Sequence, residues 1–263
     1  MPRNYIKVDR KEGYILGIKI SITSKREVLD FINLRLENKE KFYMISMNPE
    51  NLLLATKDWL LAKTIIRSDL SIPDGIGLNF AYKFLHKQDI GIIKGRELFF
   101  DVIKIADERK LRVYLFGGEH GEQIKTKEIL EEGYKNVVFK THHQFPQYGR
   151  NAQPATPEDR KLHKTILGSI KLFEPDLIIV ALNTPKQEKW IYRNFFRLNA
   201  TGAFALGGTF NYVAGNMKLP PKWMEKMGLE WVWRLIQEPK RLRRIINAVI
   251  IFPWKVFSYK LFK

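Results

Sequence analysis

The stretch PDLIIVALNTPKQEKWI, residues 175–191, decides the fold. Asp176–Leu182 holds a run of apolar residues between Pro175 and the polar turn that opens at Asn183. A short apolar run without polar alternation reads as a strand covered on both faces, the kind that builds parallel sheets. The spacing after the turn predicts a helix over 186–198. Strand, polar turn, helix is the repeating half of an α/β unit.

The same unit recurs on both sides. Upstream, KFYMISM (41–47) reads as a buried strand, followed by a helix over 51–66, a loop over 71–77 and a helix over 78–85. A helix over 97–108 leads into a strand at 112–116. Gly117-Gly118 then opens a loop, with a helix to about residue 131 and a short strand at 137–140. Three prolines and one glycine make 144–157 loop-like, and a helix over about 158–173 precedes the central stretch. Downstream, a strand at 202–206 ends in Gly207-Gly208. The expected fold class is therefore α/β: a Rossmann-like, mostly parallel sheet flanked by helices. In such sheets ligands sit beyond the carboxyl ends of the strands. Polar or glycine-rich turns stand at four of those ends: Ser46-Met47-Asn48, Gly117-Gly118, Asn183–Glu188 and Gly207-Gly208. Together they suit a crevice for a nucleotide diphosphate. None is a GxGxxG or Walker A loop, which argues against ordinary NAD or ATP chemistry.

Composition narrows the partners. At 263 residues, 45% hydrophobic and 13% aromatic, the chain has material for a packed core. It has no cysteine, which excludes disulfides, zinc–thiolate sites and thiol nucleophiles. The first twenty residues carry scattered charges and no apolar core of a signal peptide, and the longest apolar run near the end, 245–254, is too short to span a bilayer. Against 28 Asp and Glu stand 45 Lys and Arg, a net charge of +17. Eleven of those cations and only three glutamates lie in 216–263, among Trp223, Trp231, Trp233, Trp254, Phe252, Phe257, Tyr259 and Phe262. Basic residues interleaved with Trp and Phe suit an anionic membrane interface. A solvated basic face and a nucleic-acid site stay open, the latter without an RNP pattern, zinc-finger spacing or helix-turn-helix to support it. The chain thus divides into an α/β domain over 1–215 and a C-terminal helical, basic and aromatic appendage over 216–263.

The residues alone offer few chemical groups. Asp74, in IPDGIG, is held between Pro73 and Gly75 and can serve as a helix cap or as a base; the local pattern favours the cap. Gln187 and Glu188 open a helix, where capping is again the simpler role. The five histidines (86, 120, 142, 143 and 163) show no metal-site spacing, and no Asp-x-Asp pair is present to hold a divalent ion. Arg234, Arg241 and Arg244 share one helical face if a helix continues past Pro239.

Several segments together resemble the WecG/TagA/CpsF family of bacterial glycosyltransferases: MNPENLLLA (47–55), IPDGIGL (72–78), KGRELF (94–99), LFGG (115–118), PDLIIVALNTPKQEKWI (175–191) and ALGGTFNYVAGNMKLPPKWMEKMGLEWVWRLIQEPKRLRR (205–244). The resemblance implies transfer of a sugar, N-acetylmannosamine first, from a UDP-sugar to a polyprenyl-diphosphate-linked saccharide, with inversion and without metal or other cofactor. Glucose, another hexose and N-acetylmannosaminuronate stand as alternative sugars. It implies a peripheral site of action on the cytoplasmic face of the membrane, self-association as an open partner, and no nucleic acid. It also reverses the reading of Asp74, which becomes the general base. Arg234, Arg241 and Arg244 then close over the leaving diphosphate, and Ser46, Asn48, Arg96, Gly117, Gly118, Asn183, Gln187, Glu188, Gly207 and Gly208 bind substrate. Two positions depart from the family pattern: Asn183 stands where Gly is common, and Asn211 where Asp is common.

Overall fold

A computed structural model describes residues 11–119 and 121–262. Residues 1–10, His120 and Lys263 lie outside the described residues. The chain opens with an antiparallel hairpin, β1 (Lys11–Ile15) and β2 (Ile18–Ile22), then α1 (Lys25–Glu37), whose N-terminus is closed by a Ser24–Glu27 capping box. The main sheet follows: β3 (Phe42–Met47), α2 (Pro49–Ala55), α3 (Trp59–Arg67), β4 (Leu70–Pro73), α4 (Ile76–His86), α5 (Gly95–Glu108), β5 (Arg112–Gly117), α6 (Glu122–Gly133) and β6 (Val138–Lys140). The chain continues through α7 (Pro157–Phe173), β7 (Leu177–Ala181), α8 (Lys186–Asn194), β8 (Gly202–Ala205) and α9 (Thr209–Val213). Short helices complete it: α10 (Lys222–Lys226), α11 (Glu230–Gln237), α12 (Leu242–Ile246), a π-helical turn at Asn247–Ile251 and α13 (Phe252–Leu261).

Six parallel strands lie in the order β4-β3-β8-β7-β5-β6. Because successive side chains point to opposite faces, each apolar strand fills two cores. Tyr43, Ile45, Tyr114, Phe116, Ile178, Val180, Ala203 and Ala205 face one layer with Leu52, Leu61, Ile166, Ile170 and Trp190. Phe42, Met44, Val113, Leu115, Leu177, Ile179 and Phe204 face the other, with Phe31, Phe99, Val102 and Phe210. The end of the chain returns to the first layer, where Phe252 and Val256 of α13 are buried. Burying each such side chain contributes about 1.5–3 kcal/mol, which anchors α13 to the body of the protein.

Three local expectations differ from the structure. The segment read as a loop from Ser71 contains β4, pairing with β3 from Met44↔Leu70 to Met47↔Pro73. Four residues with a central serine and a terminal proline give little strand signal, yet Ser71 is satisfied by the hairpin: its N–H donates to Ser21 Oγ (3.0 Å) and its hydroxyl to the Lys19 carbonyl (3.1 Å). The helix over 51–66 is two helices, because Asp58 accepts from the Leu61 N–H (3.1 Å) and starts α3 afresh. No continuous helix runs past Pro239. Helix α11 stops at Gln237, and Pro239–Arg241 is a 3₁₀ turn before α12.

Candidate active site

The carboxyl ends of β3, β4 and β8 open onto one cleft, roofed by α11, the 3₁₀ turn and α12. Ser46, Asn48, Asp74, Arg96, Asn183, Gln187, Gly207, Gly208, Arg234, Arg241 and Arg244 all line it. The three arginines come together through a bend in the chain, and not on the single helix face that a helix continuing past Pro239 would have given them.

Asp74 follows β4 directly, and its N–H still donates to the Met47 carbonyl (2.6 Å). It caps no helix: Gly75 is the N-cap of α4 and makes no side-chain cap bond. Its Oδ2 accepts from Ser46 Oγ and from the Gly95 N–H, each at 3.1 Å. The carboxylate touches the cleft but is otherwise enclosed by protein. Burial pushes its pKa up, against the Gly95 N–H, the Ser46 hydroxyl and the Arg234 charge, which favour ionisation. A carboxylate with a raised pKa, fixed by two donors on one oxygen and open to a cleft, is suited to accept a proton.

Glycines make the room. A Cβ at Gly95 would lie 3.0 Å from Ser46 Oγ and 3.1 Å from Asp74 Oδ2; at Gly208 it would lie 3.1 Å from Arg234 Nη2; at Gly207 it would fall 2.0 Å from Gln187 Oε1. Each would press on a polar side chain of the cleft. Gly117 has another reason: its φ is +97° and a Cβ would fall 2.5 Å from the Ala181 carbonyl oxygen. It serves the close approach of β5 and β7 and lines neither this cleft nor the neighbouring one. Gly118 lines that second cleft, beyond β5 and β7, with Gln123, Tyr148 and Lys186. The single crevice expected from four glycine-rich and polar turns is thus two. Glu188 is buried behind Gln187. Its Oε1 accepts from Gln187 Nε2 (2.9 Å) and Thr184 Oγ1 (2.8 Å), and burial pushes its pKa up. It orients a lining residue and does not line the cleft itself.

Asn48 has a local task as well, accepting the Asn51 N–H (2.9 Å) to cap α2. Asn183 carries φ +60°, a left-handed conformation that Gly and Asn adopt more readily than other residues. That accounts for asparagine at a position where the resemblance expects glycine. Asn211 lies on α9, where its carbonyl accepts the Asn216 and Met217 N–H groups (3.1 and 3.2 Å).

The cleft is rich in positive charge: Lys94, Arg96, Arg234, Arg241 and Arg244 stand against Glu50, Asp74 and Glu230. Arg234 Nε donates to Tyr212 Oη (3.1 Å), and the guanidinium groups of Arg234 and Arg96 lie 5.5 and 5.4 Å from the Tyr212 ring centre. Arg241 pairs with Glu238 (2.7 Å) and Arg244 with Glu50 (2.6 Å). Burial and the neighbouring charges of Arg234 and Arg244 push the Arg241 pKa down, as expected of clustered cations that an anion would relieve. Lys94, Tyr212, Glu50 and Glu230 carried no expectation from sequence. Lys94 and Arg96 reach across to the appendage: Lys94 pairs with Glu225 and Glu230, and Arg96 Nη2 with Glu225 (3.1 Å). Of the two, the resemblance named only Arg96. Tyr212 lay in the middle of a short helix with no charge or glycine to mark it.

Among the described residues no group of three or more His, Asp or Glu is arranged to hold a metal ion, and no helix is long and apolar enough to cross a membrane.

The chain is 28% identical over 259 residues to an N-acetylglucosaminyldiphosphoundecaprenol N-acetyl-beta-D-mannosaminyltransferase of Staphylococcus aureus (strain MW2), covering 98% of this chain and 94% of the relative. The counterpart from strain MRSA252 is 27% identical over the same share. The sequence pattern of the glycosyl transferase WecG/TagA/CpsF family matches residues 14–263. The chain belongs to that glycosyltransferase family.

Proposed function

We propose that this glycosyltransferase moves N-acetylmannosamine from UDP to a saccharide on a polyprenyl diphosphate, with inversion and without a metal. The observation that carries the reading is Asp74, fixed by Ser46 and Gly95 on the floor of a cleft whose roof holds Arg234, Arg241 and Arg244. The acceptor hydroxyl oxygen attacks the anomeric carbon from the face opposite UDP. Asp74 takes the hydroxyl proton, the bond from the anomeric carbon to the phosphate oxygen breaks, and UDP leaves with the electron pair. The arginines neutralise the departing diphosphate, the task a divalent ion performs elsewhere. Ser46 holds the base in place, and Asn48, Arg96, Asn183, Gln187, Gly207 and Gly208 surround the sugar and diphosphate. Glu188 orients Gln187, and Gly118 belongs to the adjoining cleft.

The choice of sugar and acceptor follows the staphylococcal relatives, whose names specify an N-acetylmannosaminyl group and N-acetylglucosaminyl-diphospho-undecaprenol. Such an acceptor is lipid-borne, so the enzyme works at the cytoplasmic membrane face as a peripheral protein. The segment 216–263 joins the α/β body in forming the site. Its arginines reach the cleft while Trp254, Phe257 and Phe262 stay exposed.

The test is a panel of UDP-sugars against a GlcNAc-diphospho-lipid analogue, with the product linkage read by NMR. UDP-N-acetylmannosamine is expected to give a β-linked disaccharide at a rate unaffected by EDTA. Transfer of another sugar would reassign the donor, retention would displace Asp74 as base of a single displacement, and loss in EDTA restored by Mg²⁺ or Mn²⁺ would overturn the arginine mechanism.

A further inference from the structure

Helix α4 begins two residues after Asp74 and carries an uncovered apolar stripe. Its inner face is buried through Leu78, Ala81 and Tyr82. Its outer face shows Ile76, Phe80 and Phe84, 43%, 63% and 40% exposed, at i, i+4 and i+8. These positions form one line along the whole helix. Burial in this protein's own core does not explain them, and a phenylalanine two-thirds open to water is costly to hold without a partner.

The stripe is continuous with the exposed part of the appendage. The Phe84 ring lies stacked on Phe257 with centroids 6.2 Å apart, and Trp254 follows at 6.4 Å from Phe257. Lys260 Nζ sits 4.0 Å above the Phe84 ring. At the other end, Ile76 packs beneath Gly228, beside the exposed Met227. Exposed Lys83, Lys87, Lys255 and Lys260 lie on or next to the two helices that carry the patch, Lys83 paired with Asp89 (2.9 Å). Aromatic side chains surrounded by lysines complement an anionic lipid surface, where rings settle at headgroup depth and the cations meet the phosphates.

We propose that α4 is a second bilayer-contacting element, with Phe80 and Phe84 inserted into the anionic lipid surface alongside Trp254 and Phe257. The stripe runs the length of the helix, so α4 lies in the plane of the interface. An 11-residue helix is about 16 Å long, and Asp74 stands at its N-terminal end. Docking therefore holds the base at headgroup level, the level at which a lipid-borne diphosphate presents its first sugar. The lipid contact stands on the surface alone; its consequence for the base rests on the proposed function.

The absence of cysteine allows a direct test. Phe80→Cys in the full chain, labelled with an environment-sensitive fluorophore, should shift to the blue and resist aqueous quenchers on vesicles of phosphatidylglycerol and phosphatidylcholine. Leu172→Cys, an apolar and still more exposed position on α7, should show neither change. The double variant F80S/F84S, its fold checked by circular dichroism, should bind those vesicles at least about tenfold more weakly. It should keep transfer to a short-chain, water-soluble acceptor while losing transfer to a polyprenyl acceptor in vesicles. A label at 80 that stays in water on vesicles, with unchanged binding of the double variant, would overturn the proposal. Loss of oligomer mass in F80S/F84S with unchanged vesicle binding would also overturn it and give the stripe to a second copy of the chain. If no UDP-sugar is transferred at all, the vesicle measurements still decide the lipid contact, and only the acceptor reading fails.

Discussion

The backbone N–H of Gly95 donates to Asp74 Oδ2 at 3.1 Å, and a Cβ on the same residue would lie 3.1 Å from that oxygen. One glycine thus both holds the proposed base and leaves it space. Gly95→Ala should keep the fold and shift Asp74. A misplacement of about 1 Å at a reacting group costs roughly 10²-fold in rate; a methyl 3.1 Å from the carboxylate oxygen asks for less than that, so a fall in kcat of up to about 10-fold is expected. Its measure is steady-state transfer beside a thermal melt; a fall in melting temperature that tracks the lost rate would point to general unfolding.

Burial sets the direction of the pH dependence. It raises the Asp74 pKa, and the base works only as carboxylate. Activity should therefore fall, as pH is lowered, at a value above the ordinary aspartate range near 3.9. A pH profile of kcat/KM reads this limb. The stability effect has the opposite sense. The folded protein holds the proton more tightly than the unfolded chain, so stability drops as pH rises through the window between the two pKa values. Asp74→Asn should melt above the wild type at neutral pH, with an advantage that shrinks as pH falls through that window and is gone below the ordinary aspartate value.

Much of this was legible in the sequence, for physical reasons. Buried parallel strands leave uninterrupted apolar runs, so β3, β5, β7 and β8 stood out, and turns at their carboxyl ends marked most of the cleft. Strand β4 did not, because its hydrogen bonds to the hairpin come from Ser21 and Lys19, fifty residues away in the chain. Asp74 was ambiguous for a similar reason. Local pattern reads an aspartate before a helix as a cap, and only the approach of Ser46 and Gly95 from other elements gives its carboxylate a different task. Gly117 and Gly118 look alike in sequence, yet one is demanded by Ala181 and the other borders a cleft. The bend at Pro239 gathers three arginines that the spacing would align only on a helix continuing past that proline.

The roof arginines should act on the leaving group. Losing one preorganised partner of a developing negative charge costs about 10²–10³-fold in kcat. Arg241→Ala and Arg244→Ala are expected in that range with UDP-sugar, and less with a donor whose leaving group needs no charge neutralisation. Equal losses with both donors would move these residues from chemistry to folding of the roof. Arg244→Ala also frees Glu50, its 2.6 Å partner, so Arg244→Lys is the sharper comparison.

The buried lysine of PKQEK is structural. Lys189 Nζ donates to Asp58 Oδ2 (2.7 Å), the Asn151 side chain (3.1 Å) and the Arg150 carbonyl (3.2 Å), with no exposed surface. Removing one partner of a buried pair costs about 3–5 kcal/mol. Lys189→Met should fall toward the lower end, because Arg150 stands 3.5 Å from the same carboxylate. Chemical denaturation gives the value, and any loss of transfer should disappear under conditions that restore folding.

Asp74→Asn is the most direct test of the central claim. Transfer from UDP-N-acetylmannosamine to a GlcNAc-diphospho-lipid should drop by about 10²–10⁴-fold, the share of a general base. UDP binding, measured by calorimetry, should persist. Near-normal turnover in Asp74→Asn, with UDP still bound, would contradict the account and remove Asp74 as the base.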